Sequence, residues 1–212
     1  RYGAVFGETE CFDEAVLQLE LIYRYCHAHD GLLVHAYSED CMAPWAGPDG
    51  RSGCVWSEGL GWYALILTEV LDLLPAGYEG KRTVENQLNQ LLAGLEKYQN
   101  RENGLWRQVV DRTDDVDNWC DTSGSAMFLY TWKWAADKGM VPEETAEPVL
   151  RKGYDGLLAR IVPGEDGLPD VHTACQGLCV QNCYEDYIHY PKTINAQEAV
   201  CGCLWALVAA IG

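Results

Sequence analysis

The stretch CVWSEGLGWYALILTEVLDLLP, residues Cys54 to Pro75, changes character along its length. Its first ten residues hold two Trp, one Glu and two Gly, and the remainder is almost entirely apolar. A long apolar run of this kind predicts a helix that is buried on most sides. The start of that helix is different, because Glu58 lies between Trp56 and Trp62. A carboxylate between two tryptophans is typical of a ligand-binding surface.

The same arrangement occurs three times along the chain. An Asp/Asn-Gly-Leu tripeptide marks each copy, at residues 30–32, 103–105 and 166–168. A one-sided amphipathic helix is predicted before each tripeptide, over 12–28, 82–98 and 143–161. A more apolar helix is predicted after each one, over 57–74, 121–137 and 193–210. The sequence therefore predicts repeated helical hairpins with an outer and an inner helix.

These repeats predict an all-α fold in a single domain, 1–212, with units over approximately 1–75, 76–138 and 139–212. Hairpins that cannot bury a face alone must stack on one another. An open solenoid and a toroid both satisfy that requirement, and the contrast between outer and inner helices favours the toroid. In a toroid, all three inner helices begin at the same end of the molecule.

Composition excludes several classes of function. The formal charge is −17, which argues against nucleic acid as a partner, because phosphate binding needs clustered Lys and Arg. No apolar run is long enough to predict a membrane span. The opening residues RYGAVFGETE contain no apolar segment typical of a signal peptide. Many of the ten Cys fall in apolar helical runs, so most are expected to be reduced core residues, as in a cytoplasmic protein.

One group of residues has the composition of a metal site. Cys175, Cys179 and Cys183 follow His172 at short intervals. Zinc sites prefer closer cysteine pairs, so packing in the core or a loop is the favoured interpretation, and no metal is expected. The chain also lacks a Gly-rich phosphate loop and a serine nucleophile elbow.

Each predicted inner helix starts beside aromatic and acidic or amide side chains. The candidate ligand-binding residues are His35, Trp56, Glu58, Trp62, Trp106, Asp121 and Tyr187. Aromatic rings that stack on sugar faces, combined with fixed hydrogen-bonding groups, are typical of carbohydrate sites. The structural alternatives stay open, because Glu58 and Asp121 also stand where helix-capping residues belong, and His35 fits a core position.

Several long stretches resemble a known group of enzymes. HAYSEDCMAPWAGPDGRSGCVWSEGLGWYALILTEVLDLLP, NGLWRQVVDRTDDVDNWCDTSGSAMFLYTWKWA and YEDYIHYPKTINAQEAVCGCLWALVAA resemble the unsaturated glucuronyl and rhamnogalacturonyl hydrolases, glycoside hydrolase families 88 and 105. The resemblance implies a six-hairpin α/α toroid. It also implies removal of a 4,5-unsaturated uronic acid from oligosaccharides derived from pectin or glycosaminoglycan, without a cofactor. His35, Trp56 and Trp62 match family residues around the unsaturated sugar.

The sequence departs from that family at two points. Many members have Arg at the position of Glu58, where it would suit the substrate carboxylate. The family's catalytic Asp lies in a motif that has no counterpart here, and neither Asp13 nor Asp30 matches it. The chain is therefore expected to be the C-terminal portion of the family domain, with about three of six hairpins and with the acid/base Asp upstream of Arg1.

Three hypotheses about function follow. In the first, the chain derives from an unsaturated uronyl hydrolase and is inactive or very weak alone. In the second, it is a non-catalytic carbohydrate-binding or self-assembling module, whose exposed inner helices form a homo-oligomer. In the third, it is a different toroid hydrolase that uses Glu58 and Asp121 as an acid/base pair, which requires carboxyl groups about 5–10 Å apart.

Overall fold

The computed structural model describes all residues, 1–212. It is mainly helical, with short strands confined to the connections. The helices are α1 (Tyr2–Phe6), α2 (Glu10–Cys26), α3 (Ser57–Leu73), α4 (Lys81–Tyr98), α5 (Thr122–Asp137), α6 (Glu143–Leu158), α7 (Tyr184–Ile188) and α8 (Gln197–Ile211). The strands are β1 (Trp106–Arg107), β2 (Cys120–Asp121), β3 (Ile161–Pro163), β4 (Pro169–Val171), β5 (Ala174–Cys175) and β6 (Lys192–Thr193).

All six long helices form where the repeat predicts them. Helices α2, α4 and α6 make an outer layer, and α3, α5 and α8 make an inner layer. Within the inner layer, α5 packs between α3 and α8 and is buried along nearly its whole length. The layers follow from composition, because the inner helices carry few charges and the outer helices have one apolar face.

The inner helices approach one another closely because small residues lie between them. A Cβ atom added to Gly124 in α5 would lie 2.4 Å from the Ser57 hydroxyl oxygen of α3. One added to Gly61 in α3 would lie 2.7 Å from the Met127 sulfur of α5. This contact brings the first turns of α3 and α5 together.

The glycines of the three tripeptide loops share a backbone conformation. Gly31, Gly104 and Gly167 have φ angles of +75°, +71° and +81°, in the left-handed region that favours glycine. The first two loops also pack on the next outer helix. A Cβ atom on Gly31 would lie 2.2 Å from the Gln90 carbonyl oxygen, and one on Gly104 would lie 2.2 Å from that of Lys152.

Three antiparallel strand pairs, which the helical pattern does not predict, tie the loops together. β1 pairs with β2, β3 with β4, and β5 with β6. The last pair corrects one predicted boundary, since α8 begins at Gln197 and not at 193. Lys192 and Thr193 are held in a strand opposite Ala174 and Cys175, so they cannot join the helix.

The cysteines divide by position more evenly than expected. All ten are free, and four are buried: Cys54, Cys120, Cys175 and Cys203. The expectation that most lie in the core therefore holds for these four, whereas Cys41, Cys179 and Cys183 are exposed.

None of the helices combines the length and apolar character needed to cross a bilayer.

Candidate functional site

The inner helices begin at one end of the molecule, which we call the loop end and define by the helix-capping residues Trp56, Asp121 and Ala196. A small apolar cluster separate from the main core lies here. Its members are Cys54, Trp56, Val109, Trp119, Cys175, Leu178, Tyr187 and Ile188. The cluster joins parts of all three repeats, so the predicted meeting of their connections is observed.

His35 is the half-buried polar group of this cluster. Its ring lies against Trp56, with 4.4 Å between ring centroids. Its Nδ1 atom is 2.8 Å from the Tyr187 hydroxyl, which also accepts a hydrogen bond from the Gln181 backbone N–H at 3.2 Å. Burial lowers the pKa of His35 to about 4, so the imidazole is neutral at pH 7. If the Tyr187 phenol donates to Nδ1, the Nε2 atom carries the proton.

Asp121 lies just before α5 and caps its first turn. Its Oδ2 atom accepts from the Gly124 N–H at 2.8 Å, and its Oδ1 atom accepts from the Cys175 N–H at 2.8 Å. The hydroxyls of Ser57 and Ser123 also contact Oδ2, at 3.0 and 2.5 Å. The residue has no exposed surface. Asp121 therefore organises the loop end and, being fully buried, presents no surface to a ligand.

Glu58 lies in the first turn of α3 and is 2% exposed. Its Oε2 atom is 3.0 Å from the Ser123 hydroxyl, the same hydroxyl that contacts Asp121. Burial first, and the charge of Asp121 second, raise the pKa of Glu58 to about 8. One serine hydroxyl thus spans two carboxyl groups. The pair is close, but Asp121 is sealed from solvent, which disfavours its use as half of an acid/base pair.

Trp62 lies one helical turn beyond Glu58 and is 39% exposed. Its ring meets Trp205 of α8 edge to face, with 6.4 Å between centroids. The two rings, with Ile66 and Tyr130, line an open cavity of about 380 Å³ on the inner face of the molecule. Trp62 is the predicted site residue with the most surface available for stacking.

Trp106 is the predicted site residue that the structure places elsewhere. It is fully buried in the main core, where its ring packs against Phe128 and its indole N–H donates to the Leu95 carbonyl at 2.7 Å. The prediction of ligand contact is therefore corrected for Trp106, which stabilises the second hairpin. The ring turns inward because β1 pairs Trp106 with the capping residue Asp121, directly beside buried α5.

The sequence reasoning missed the residues that connect the site. Ser57 and Ser123 link the carboxyl groups, and Gln181 holds the Tyr187 hydroxyl. The only local signal is that Ser123 follows Asp121 by two residues at a helix start. The structure contains no group of three His, Cys, Asp or Glu side chains placed to hold a metal ion.

Comparisons with known proteins agree with this architecture. The 24.9 kDa protein in picA locus from Rhizobium radiobacter is 34% identical over 161 residues, which cover 74% of this chain and 67% of that protein. An unsaturated 3S-rhamnoglycuronyl hydrolase from Formosa agariphila is 26% identical over 102 residues, covering 48% of this chain and 26% of that enzyme.

A solved structure of a family 105 glycoside hydrolase from C. acetobutylicum superimposes with a TM-score of 0.92 at 26% identity. The match covers 98% of this chain and 60% of that one, so the chain spans about 60% of the length of this solved relative. The fold is therefore the all-α toroid type expected from the repeat. The profile of Glycosyl Hydrolase Family 88 matches residues 1–211, and the chain belongs to that family.

Proposed function

We propose that this chain forms part of a glycoside hydrolase that removes a 4,5-unsaturated uronic acid from the non-reducing end of oligosaccharides. Water adds across the C4=C5 bond: a proton goes to C4 and the water oxygen to C5. The resulting C5 hemiketal opens to a ketone and leaves a hemiacetal at C1, which collapses to an aldehyde and releases the remaining sugar as an alcohol. The observation that carries the proposal is the half-buried imidazole of His35, which packs at a tilted angle against Trp56 beside the first turn of α3, where Glu58 lies. Membership of a glycosidase family supports the substrate class.

The acid/base aspartate of this reaction is proposed to lie outside these residues. Asp121 is the predicted site aspartate at the loop end, and its carboxylate is buried and surrounded by four donors. Asp13 and Asp30 are bound elsewhere, to Tyr78 and to Lys97. The chain alone is therefore expected to bind substrate with little or no turnover.

The test uses unsaturated disaccharides prepared from pectin and from a glycosaminoglycan. Turnover is followed as loss of the ultraviolet absorbance of the C4=C5 bond, and binding is followed by calorimetry. The expected result is measurable binding that His35→Ala abolishes, with very weak turnover. Rapid turnover by the chain alone would refute the proposal that the acid is missing, and absence of binding would refute the substrate class.

A second candidate function, a self-assembling module, has its own observation. Helices α3 and α8 each have one inner-layer neighbour, and both expose apolar side chains on the open face. These side chains are Trp62, Ile66, Leu204, Trp205, Val208 and Ile211. Exposed apolar surface of this kind favours association with a second copy.

Sedimentation velocity tests the self-assembly hypothesis. Association should rise with protein concentration and be lost in an Ile66→Glu/Val208→Glu variant. A monomer at high concentration would exclude self-assembly.

A further inference from the structure

Residues 176–183, which connect β5 to α7, are the least anchored part of the loop end, and we call them the strap. No strap residue takes part in a backbone–backbone hydrogen bond. Two hydrogen bonds tie the strap backbone to residues outside it. The Gln176 carbonyl accepts from the Cys175 thiol at 3.3 Å, and the Gln181 N–H donates to the Tyr187 hydroxyl at 3.2 Å. Segments with so few backbone bonds open at a lower free energy than the core does.

One side chain anchors the strap to the protein. Leu178 is the only buried residue of the strap, 8% exposed, and belongs to the apolar cluster at the loop end. Every other member of that cluster lies in a helix or strand, or has a backbone group in a backbone–backbone hydrogen bond. Leu178 therefore rests on the cluster by apolar contact alone, and it can withdraw without breaking a backbone–backbone hydrogen bond.

The strap lies across the first turns of two inner helices. A Cβ atom placed on Gly177 would be in ordinary contact with Glu58 of α3, at 3.7 Å, and with Glu198 of α8, at 3.5 Å. Trp56, at the start of α3, is only 5% exposed while the strap is in this position. A sugar can therefore stack on Trp56 only if a neighbouring group moves, and the strap is the neighbour with the fewest bonds to lose.

The bond between Gln181 and Tyr187 connects the strap to His35. The Tyr187 hydroxyl that accepts from the Gln181 N–H is also 2.8 Å from His35 Nδ1. When the strap opens, this phenol loses the Gln181 donor but keeps its place in α7 beside His35. The histidine therefore stays in position while the cover over the cluster is removed.

We propose that the strap is a lid over the loop end, which opens by withdrawal of Leu178, admits a sugar to Trp56 and His35, and closes again. The opening step stands on the hydrogen bonds and burial of the strap itself. The identity of the ligand rests on the proposed function. Closure over a bound sugar would exclude water from the site, as lids of other enzymes do.

Two buried cysteines provide a matched pair of reporters for the opening. Cys54 belongs to the loop-end cluster and is 4% exposed, and Cys203 belongs to the main core and is 3% exposed. Burial raises the pKa of each thiol to about 12, so the two have similar reactivity in the closed protein. Cys183, the last strap residue, is close enough to act on the Cys54 thiol.

The first arm of the test measures thiol labelling of the native chain by iodoacetamide at pH 8, followed by digestion and mass spectrometry. Labelling of a buried thiol follows the population of the form that exposes it, so Cys54 should react about tenfold or more faster than Cys203. Leu178→Ala should speed the labelling of Cys54 by a further factor of about ten, because the anchor is lost. Val180→Ala is the control, since Val180 lies in the same strap but in neither apolar cluster.

Equal labelling rates of Cys54 and Cys203 in the parent chain would overturn the proposal, because the loop end would then open only when the whole chain unfolds. An equal increase at Cys54 in Leu178→Ala and Val180→Ala would refute the anchor. If Leu178→Ala does not fold, Cys203 reacts quickly as well, and the comparison within the parent chain decides.

The second arm adds an unsaturated uronate disaccharide and measures its binding by calorimetry under the same conditions. At saturation the sugar should slow labelling of Cys54 several-fold, because it is held under the closed strap. Unchanged labelling of Cys54 by a disaccharide that does bind would overturn the lid role. Absence of binding would refute the proposed substrate and with it the ligand of the lid, and the first arm would still decide whether the strap opens.

Discussion

At the scale of single residues, the loop end depends on side chains that complete hydrogen bonds of buried neighbours. Asp121 holds the first turn of α5 and the Cys175 backbone at the same time. Tyr187 does the equivalent for His35 and Gln181. Both residues were predicted to contact a ligand, but they are 0% and 1% exposed. Their measurable effects are therefore expected in stability and in the state of His35.

Replacing Asp121 with Ala should destabilise the chain by about 3 kcal/mol or more, because the cap is lost and two buried N–H groups are left without acceptors. Urea unfolding measures this change. Asp114→Ala is the control, since Asp114 is exposed and makes one long hydrogen bond, so its loss should cost less than about 0.5 kcal/mol. A cost for Asp121→Ala as small as that of the control would contradict the capping role.

Replacing Tyr187 with Phe should cost about 1–2 kcal/mol and release the tautomer of His35, because Nδ1 and the Gln181 N–H both lose their partner. Nitrogen NMR shifts of the His35 ring report the tautomer, and urea unfolding reports the stability. Tyr190→Phe provides the comparison, since the Tyr190 hydroxyl makes none of the hydrogen bonds found in the site. An unchanged His35 spectrum would argue against the assigned hydrogen bond.

At the scale of elements, the spacing between hairpins is set by backbone contacts at glycine. The loop of the first hairpin rests on α4, where a Cβ atom on Gly94 would lie 2.2 Å from the Asp30 carbonyl oxygen. The second hairpin repeats this contact on α6, where a Cβ atom on Gly156 would lie 1.9 Å from the Asn103 carbonyl oxygen. Each of these carbonyl groups belongs to the loop backbone, so it cannot move away from an added Cβ atom unless the whole loop moves. Adjacent repeats are thus joined in the same way twice.

Gly94→Ala should therefore destabilise the chain, although alanine raises intrinsic helix propensity by about 1 kcal/mol. Overpacking against fixed backbone should exceed that gain, with a net loss of about 2 kcal/mol measured by thermal or urea unfolding. Gly53→Ala serves as the control, because a Cβ atom there meets nothing within 4 Å. Gly53→Ala should be neutral or slightly stabilising. Stabilisation by Gly94→Ala would disprove the close contact.

At the scale of the whole molecule, net charge opposes compaction. The chain carries 32 acidic and 15 basic residues, a formal charge of −17. Repulsion of this kind is screened by salt, so stability should rise as ionic strength increases. A gain of about 1 kcal/mol would raise the Tm by about 2–4 °C for a chain of this size.

Calorimetric melting at pH 7 in low salt and in about 0.5 M sodium chloride checks this expectation. At the higher salt concentration the Debye length is only a few ångströms, so charge repulsion is largely screened. Melting should be compared at several protein concentrations, because salt also favours association through the exposed faces of α3 and α8. A Tm that does not change with salt would show that the negative charges are balanced locally.

Much of the architecture follows from the sequence, because helical periodicity is a local property. The contrast between amphipathic and apolar segments predicts all six long helices, and the repeated tripeptides mark the three loops whose glycines the structure shows in the left-handed region. The two- and three-residue strands have no period to detect, so the sequence did not predict that Lys192 and Thr193 lie outside α8.

The candidate site likewise has features that the sequence predicts and features that only the structure shows. The sequence by itself determined which residues come to the loop end, since His35, Trp56, Glu58, Asp121 and Tyr187 all adjoin predicted helix starts or connections. Only the tertiary structure decided their roles. It turned Trp106 into the core, sealed Asp121, and placed Ser123 between two carboxyl groups. Burial and proton sharing depend on distances between residues far apart in the chain, and no local pattern encodes those distances.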